Sequence, residues 1–194
     1  MSTSTTFETL AERLWPAATW PWHLLLAVFG SVLLYASAKV QVPMYPVPMT
    51  MQTFVVLVIG MAYGWRLAGA TVAVYLLEGA VGLPVFAGTP ERGIGLAYMV
   101  GPTGGFLFGF LLAAAAMGWL AERGWGRSSL TTAAAMAIGT VLLFGPGVGW
   151  LASFVGLERA FAAGFLPFMY GEAAKIVLAV ALLPLAWRSV GPVR

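Results

Sequence analysis

Hydrophobic positions in this chain do not alternate with polar ones. They form long runs, separated by short stretches of glycine, proline and charge. A helix that crosses a bilayer needs about 20 mostly apolar residues. Six runs meet or approach that length: residues 22–38, 49–63, 66–81, 104–120, 130–150 and 170–187, the second being short. The pattern predicts an all-α integral membrane protein of six transmembrane helices. Residues 1–194 read as a single membrane domain, with no linker dividing it. Residues 1–20, through Ser4, Phe7, Glu8, Glu12 and Arg13, are polar to amphipathic and predict a short helix lying at the membrane surface. No cleavable signal is evident.

Composition strengthens the membrane reading. The chain is 60% hydrophobic and 9% charged, with a mean hydropathy of +0.89. A soluble domain carries about 25% charged residues, and so few charges cannot cover a water-facing surface. The net charge of +3 is small, and nothing suggests nucleic-acid binding. There is no cysteine, which removes disulfides and thiolate chemistry. A lone histidine, His23, excludes a multi-histidine metal centre. No metal or cofactor is expected.

Charge placement gives an orientation. With a cytoplasmic N-terminus, the inner segments hold Arg13, Arg66, Arg123, Arg127, Arg188 and Arg194, and the outer ones hold Lys39, Arg92 and Arg159. This bias places both termini in the cytoplasm. A multi-pass protein of a prokaryotic inner membrane is expected. The outer connections are the unusual ones. The first, Lys39-Val40-Gln41-Val42-Pro43-Met44-Tyr45-Pro46-Val47-Pro48, has a proline density that forbids helix and favours an extended, stiff run. The second, residues 82–105, is long and apolar for a loop. Such backbone is tolerated at membrane depth only inside protein or along a cavity. The third, residues 156–168, predicts a short amphipathic helix. The asymmetry implies a pocket near the outer face, roofed by the outer connections.

Against this apolar background, polar residues stand out. Glu172 and Lys175 lie one helical turn apart in the last run, on one face. An ionisable group at membrane depth costs at least about 2.5–3.5 kcal/mol. The pair reads as a ligand-binding site, as a structural ion pair, or as side chains snorkelling to the interface. Arg92 beside Glu91 offers a two-pronged guanidinium for a carboxylate, or is a solvated loop charge. Gln52 faces a ligand, or bonds another helix while Thr50 caps its own. Glu78 lines a cavity or reaches the interface.

The glycine-rich stretches lack nucleotide-binding signatures. Gly101-Pro102-Thr103-Gly104-Gly105 has no GK[ST] ending, and no GxGxxG is present, so no ATPase is expected within the chain. Gly105 and Gly109 predict close helix contact. Gly145-Pro146-Gly147-Val148-Gly149 predicts a break or a kink in the fifth helix. In the first helix, Ala27 and Ser31 flank a flat face of small residues, for an internal helix or for a separate membrane partner. Trp15, Trp20, Trp22, Trp119, Trp125, Trp150 and Trp187 fall at expected interfaces, as aromatic belts do.

Four stretches in order resemble the BioY family of biotin transport proteins. They are Pro46-Val47-Pro48-Met49-Thr50-Met51-Gln52-Thr53-Phe54, Gly82-Leu83-Pro84-Val85-Phe86-Ala87-Gly88, Gly101-Pro102-Thr103-Gly104-Gly105-Phe106, and Pro167-Phe168 through Glu172 and Lys175. The resemblance covers nearly everything from the first helix to the C-terminus. It implies a six-helix substrate-binding subunit, the S component of an energy-coupling factor (ECF) vitamin importer, not an enzyme. The implied partners are a transmembrane coupling protein and a pair of cytoplasmic ATPases, or, in members without them, further copies of the same chain. The family usually shows Asp where this chain has Glu172.

The resemblance also implies a ligand. Biotin has a neutral ureido ring with two N–H donors and one carbonyl, which Glu172 and Lys175 respectively suit. Phe86, Tyr45, Met99, Tyr98 and Trp150 are expected as apolar walls. Arg92, then Lys39, is expected to meet the valerate carboxylate. Gln52 and Glu78 complete the expected lining, and Ala27 and Ser31 form the expected partner-docking face. Two other classes remain open: an intramembrane enzyme using Glu172, Lys175 and Arg92, which has no nucleophile–base or metal set to support it, and a small secondary transporter with the pair as a proton relay.

Overall fold

A computed structural model describes residues 7–16 and 19–190. Ser4 and Arg194, used above, lie outside them. The described chain is a helical bundle with one small hairpin. Its elements are α1 (Leu10–Leu14), α2 (Trp20–Lys39), β1 (Gln41–Val42), β2 (Met49–Thr50), α3 (Gln52–Tyr63), α4 (Trp65–Ala80), α5 (Gly95–Met99), α6 (Gly104–Ala121), α7 (Ser129–Val155), α8 (Leu157–Gly164) and α9 (Leu166–Ser189).

Each predicted run coincides with a helix, but they differ in reach. Among the described residues, four segments are long and apolar enough to cross a membrane: α2, α6, α7, and residues 157–189, which join α8 to α9. With 12 and 16 residues, α3 and α4 rise only about 18 and 24 Å, against a hydrocarbon core of about 30 Å. Their shortness has local causes. α3 begins only after the hairpin has delivered the chain. α3 and α4 are separated by Gly64 alone, whose φ of +80° is open to glycine and strained for other residues.

The first connection departs from the extended run expected of it. It folds back on itself, so that Gln41 pairs with Thr50 and Val42 with Met49 in antiparallel register. The prolines fall in the reversal, where missing N–H groups remove nothing from the two-residue ladder. α8 forms where the third connection predicts a helix, burying Ala160 and Gly164.

The core is built by α6 at the centre, packed on α3, α4 and α7. Small residues allow it. A methyl group on Gly109 would collide with the Leu143 backbone, and one on Gly105 with Trp150 and the Pro146 carbonyl. The same contact explains why α7 does not break. Pro146 lies inside a continuous helix, at the cost of one backbone hydrogen bond. α6 braces that turn on its flank, with Phe106 lying against Gly147. At the opposite end from the hairpin, α1 is closed by a capping box between Thr9 and Glu12. It does more than lie at a surface: Leu10 and Ala11 are buried, and α1 packs against α3. The Phe7 N–H donates to the Glu122 carbonyl, and the Arg127 guanidinium covers the Phe7 and Trp187 rings.

Candidate functional site

The interior polar site is made where the first turn of α3 meets the second and third turns of α9. Glu172 and Lys175 face inward from α9 and are only 2% and 7% exposed. The Lys175 Nζ donates to Glu172 Oε1, to Thr53 Oγ1 and to the Thr50 carbonyl, each at 2.7 Å. An ammonium has three N–H bonds, so all three are satisfied. The Thr53 hydroxyl in turn donates to Glu172 Oε1 at 2.7 Å. Glu172 Oε2 makes no hydrogen bond among the described residues. The cluster exists because Thr50 ends β2 with a carbonyl that no helix bond claims, one turn from Thr53 on the same chain.

Beside this cluster a second polar chain crosses to α4. Gln52 Nε2 donates to the Tyr75 hydroxyl at 2.7 Å, and Tyr75 donates to the Val85 carbonyl at 3.0 Å. The Gln52 N–H donates to Thr50 Oγ1 at 3.2 Å, but the N-cap position of α3 is Met51 and carries no side-chain cap, so Thr50 satisfies the first N–H of the helix without occupying its cap. Thr50, Gln52 and Thr53 form the polar side of a cavity of about 40 Å³. Val47 and Pro48 of the first connection, Ala87, Tyr98 and Thr103 of the second, and Phe106, Leu107, Phe110, Phe144 and Phe168 complete its lining. The Phe144 ring meets those of Phe106 and Phe168 edge-on at 5.7 and 5.6 Å, an aromatic wall to a mostly apolar cavity. Burial pushes the Tyr98 phenol above its ordinary range, against smaller downward pulls from Thr103 and Arg92. Its hydroxyl therefore stays protonated and donates to the Ala87 carbonyl at 2.8 Å.

The two expected carboxylate binders are both engaged, each with the other's connection. Lys39 donates to the carbonyls of Pro84, Phe86 and Thr89 at 3.0–3.4 Å. Arg92 donates to the carbonyls of Pro46 and Met44 at 3.0 and 2.8 Å. One cation at the end of α2 thus ties down the second connection, and one in the second connection ties down the hairpin.

Several expected site residues lie elsewhere. Tyr45 is 87% exposed at the hairpin tip and walls nothing. Phe86 is buried behind the cavity, stacked on Tyr98 at 4.9 Å and edge-on to Tyr75. Trp150 and Met99 border a separate, open groove between α6 and α7, and the Trp150 indole donates to the Gly101 carbonyl at 2.9 Å. Glu78 accepts from the Ser31 hydroxyl at 2.9 Å across the α2–α4 seam. That seam also corrects the docking expectation. Ser31 is fully buried and Ala27 is 4% exposed, and the intervening Gly30 lies against Thr71, Ile59 and Tyr63. The small-residue face is occupied by α3 and α4, because small side chains admit a neighbour from the same chain first.

Sequence reasoning missed Thr53, Tyr75 and the phenylalanine box as site residues. Their spacing carried a signal. Phe168 lies four residues before Glu172 on one helical face, Phe106 and Phe110 share that spacing, and Thr53 follows Gln52 at a helix start.

Comparison with known proteins adds an independent result. A model of the BioY family matches residues 10–192. The biotin transporter BioY of Thermotoga maritima is 36% identical over 159 residues, 81% of this chain and 90% of the other. A probable biotin transporter BioY of Pyrococcus horikoshii is 35% identical over 156 residues, 80% and 90% of the two chains. The crystal structure of the S-component for biotin from an ECF-type ABC transporter superposes with a TM-score of 0.73 at 21% identity, covering 89% of this chain and 95% of that one. The helical architecture is therefore that of an ECF S-component.

Proposed function

This chain belongs to the BioY family, and on that premise we propose that it captures biotin at the outer face of a prokaryotic inner membrane and delivers it to the cytoplasm. Six helices span the membrane, α3 and α4 completing their crossings through the hairpin and the Gly64 turn, and both termini are cytoplasmic. The observation that carries this reading is the buried Glu172–Thr53–Lys175 cluster beside an aromatic cavity. A neutral bicyclic ligand with a hydrogen-bonding urea suits such a site, because its head leaves the ion pair internally compensated.

In the occupied site, Glu172 accepts from a ureido N–H, and Lys175 exchanges one of its present acceptors for the ureido carbonyl. The thiophane ring lies among Phe106, Phe110, Phe144 and Phe168. A cavity of about 40 Å³ is far below the ~300 Å³ at which small-molecule pockets begin, so the outer connections act as a lid that parts to admit ligand. Lys39 and Arg92 are its fasteners. A carboxylate accepts more strongly than a neutral carbonyl, so the valerate group competes for Arg92 first and Lys39 second. Release inward follows from rigid-body movement in the membrane. Energy comes from a coupling protein and an ATPase pair on other chains.

Titration calorimetry of purified protein with biotin, using dethiobiotin as competitor, tests the reading. Saturable binding without chemical turnover supports it, and absence of biotin binding removes it.

A further inference from the structure

The site holds more acceptor capacity than the ligand reading uses, and counting protons shows where recognition occurs. Lys175 has no free N–H while its three bonds persist. Neither Glu172 nor Lys175 is among the residues that line the cavity, whereas Thr53 is. Thr53 Oγ1 has one proton and two lone pairs. The proton goes to Glu172 Oε1, and one lone pair accepts from Lys175. The hydroxyl therefore cannot rotate to become a donor without breaking a bond to a buried carboxylate. What remains is one lone pair on a residue of the cavity wall.

We propose that Thr53 is a specificity-determining residue that presents a fixed hydrogen-bond acceptor to one ureido N–H of the ligand, its polarity set by the ion pair behind it. This rests on the reading of the site as a biotin site. Glu172 Oε2, unbonded among the described residues and next to Thr53, takes the other N–H once the outer connections part and the cavity widens to reach it. The pair of acceptors then selects a cyclic urea over rings that present only one N–H. Such discrimination is strong in a buried site, since an acceptor left without its donor loses its hydration as well as its bond. The methyl group of Thr53 is not needed for this, and the hydroxyl is.

The test is a double-mutant cycle between protein and ligand. Its protein arms are the wild type, Thr53→Val and Thr53→Ser. Its ligand arms are biotin and two lactam analogues, each with a different ring N–H replaced by CH₂. In the wild type each lactam should bind about 10–100-fold more weakly than biotin. In Thr53→Val, one lactam should lose less than about threefold relative to biotin, because its missing donor no longer has a partner, while the other lactam keeps its full loss. Thr53→Ser should restore the wild-type pattern. If both lactams keep their full losses in Thr53→Val, the substitution acts only through the ion pair and the proposal is overturned. If Thr53→Val does not fold, Thr53→Ala is run through the same cycle with the same criterion. Failure of wild-type protein to bind biotin would instead sink the functional reading beneath it.

Discussion

The chain has only two lysines, and the structure uses them in opposite ways. Lys175 is buried, with three bonds of 2.7 Å, one to a carboxylate. Lys39 is exposed and reaches the neutral carbonyls of a neighbouring connection at 3.0–3.4 Å. A charge that has left water needs compensation in fixed geometry, because nothing else solvates it. A charge that stays in water exchanges protein carbonyls for solvent at little net gain. The first arrangement suits recognition, which needs rigid polarity. The second suits a fastener, which has to release.

The largest effect that would break this contrast is expected at Lys175. Lys175→Met leaves Glu172 buried without its cation, and should destabilise the protein by about 3–5 kcal/mol. Thermal unfolding in detergent reads this. Adding Glu172→Gln should return much of that stability, because the uncompensated charge is gone, while biotin affinity by calorimetry stays at least about 100-fold weak. Recovery of binding along with stability would mean the pair is structural and nothing more.

A smaller effect is expected at Glu172→Asp. The charge is kept and the reach is shortened, so the bonds to Lys175 and Thr53 lengthen while their pattern survives. Biotin affinity should change by less than about tenfold, or about 1.4 kcal/mol, in equilibrium titration. Complete loss would show that helix spacing in this chain depends on the longer acid.

The smallest effect on equilibrium is expected at Lys39→Met. Stability should shift by less than about 1 kcal/mol, while biotin dissociation in stopped-flow experiments accelerates several-fold because the second connection is less securely held. An unchanged dissociation rate would detach Lys39 from any fastening role. Arg92→Gln sharpens the same point with a ligand lacking its carboxylate. A biotin amide should dissociate faster from this variant too if Arg92 fastens the lid, and at an unaltered rate if it only clamps the carboxylate.

Much of the fold was readable from runs of apolar residues. α2, α6, α7 and α9 were legible because 18–27 residues of apolar helix leave little alternative in a bilayer. α3 and α4 were legible as helices, and the second run as a short one, but not the causes of their shortness, the hairpin and the Gly64 turn. The hairpin itself was not legible, since two paired residues on each side carry no periodic signal. Pro146 suggested a break or a kink, and the helix runs on through it with α6 against its flank. In the site, Glu172 and Lys175 announced themselves by their cost in an apolar helix. Their partner did not: Thr53 lies 119 residues from Glu172, and a threonine at a helix start is ordinary there. The small-residue face around Ala27 and Ser31 was legible as a contact, but not its occupant.

By itself, the sequence determined that this chain lives in a membrane, where its long helices run, and that an acid and a base share one face of the last of them. These follow from local hydrophobicity and helical spacing, which each segment carries alone. Only the tertiary structure decided which groups answer those charges, that α4 rather than a partner covers the face of α2, and that Lys39 and Arg92 hold each other's connections. Those outcomes depend on which groups from distant segments end up in contact with each other, and no single segment encodes that.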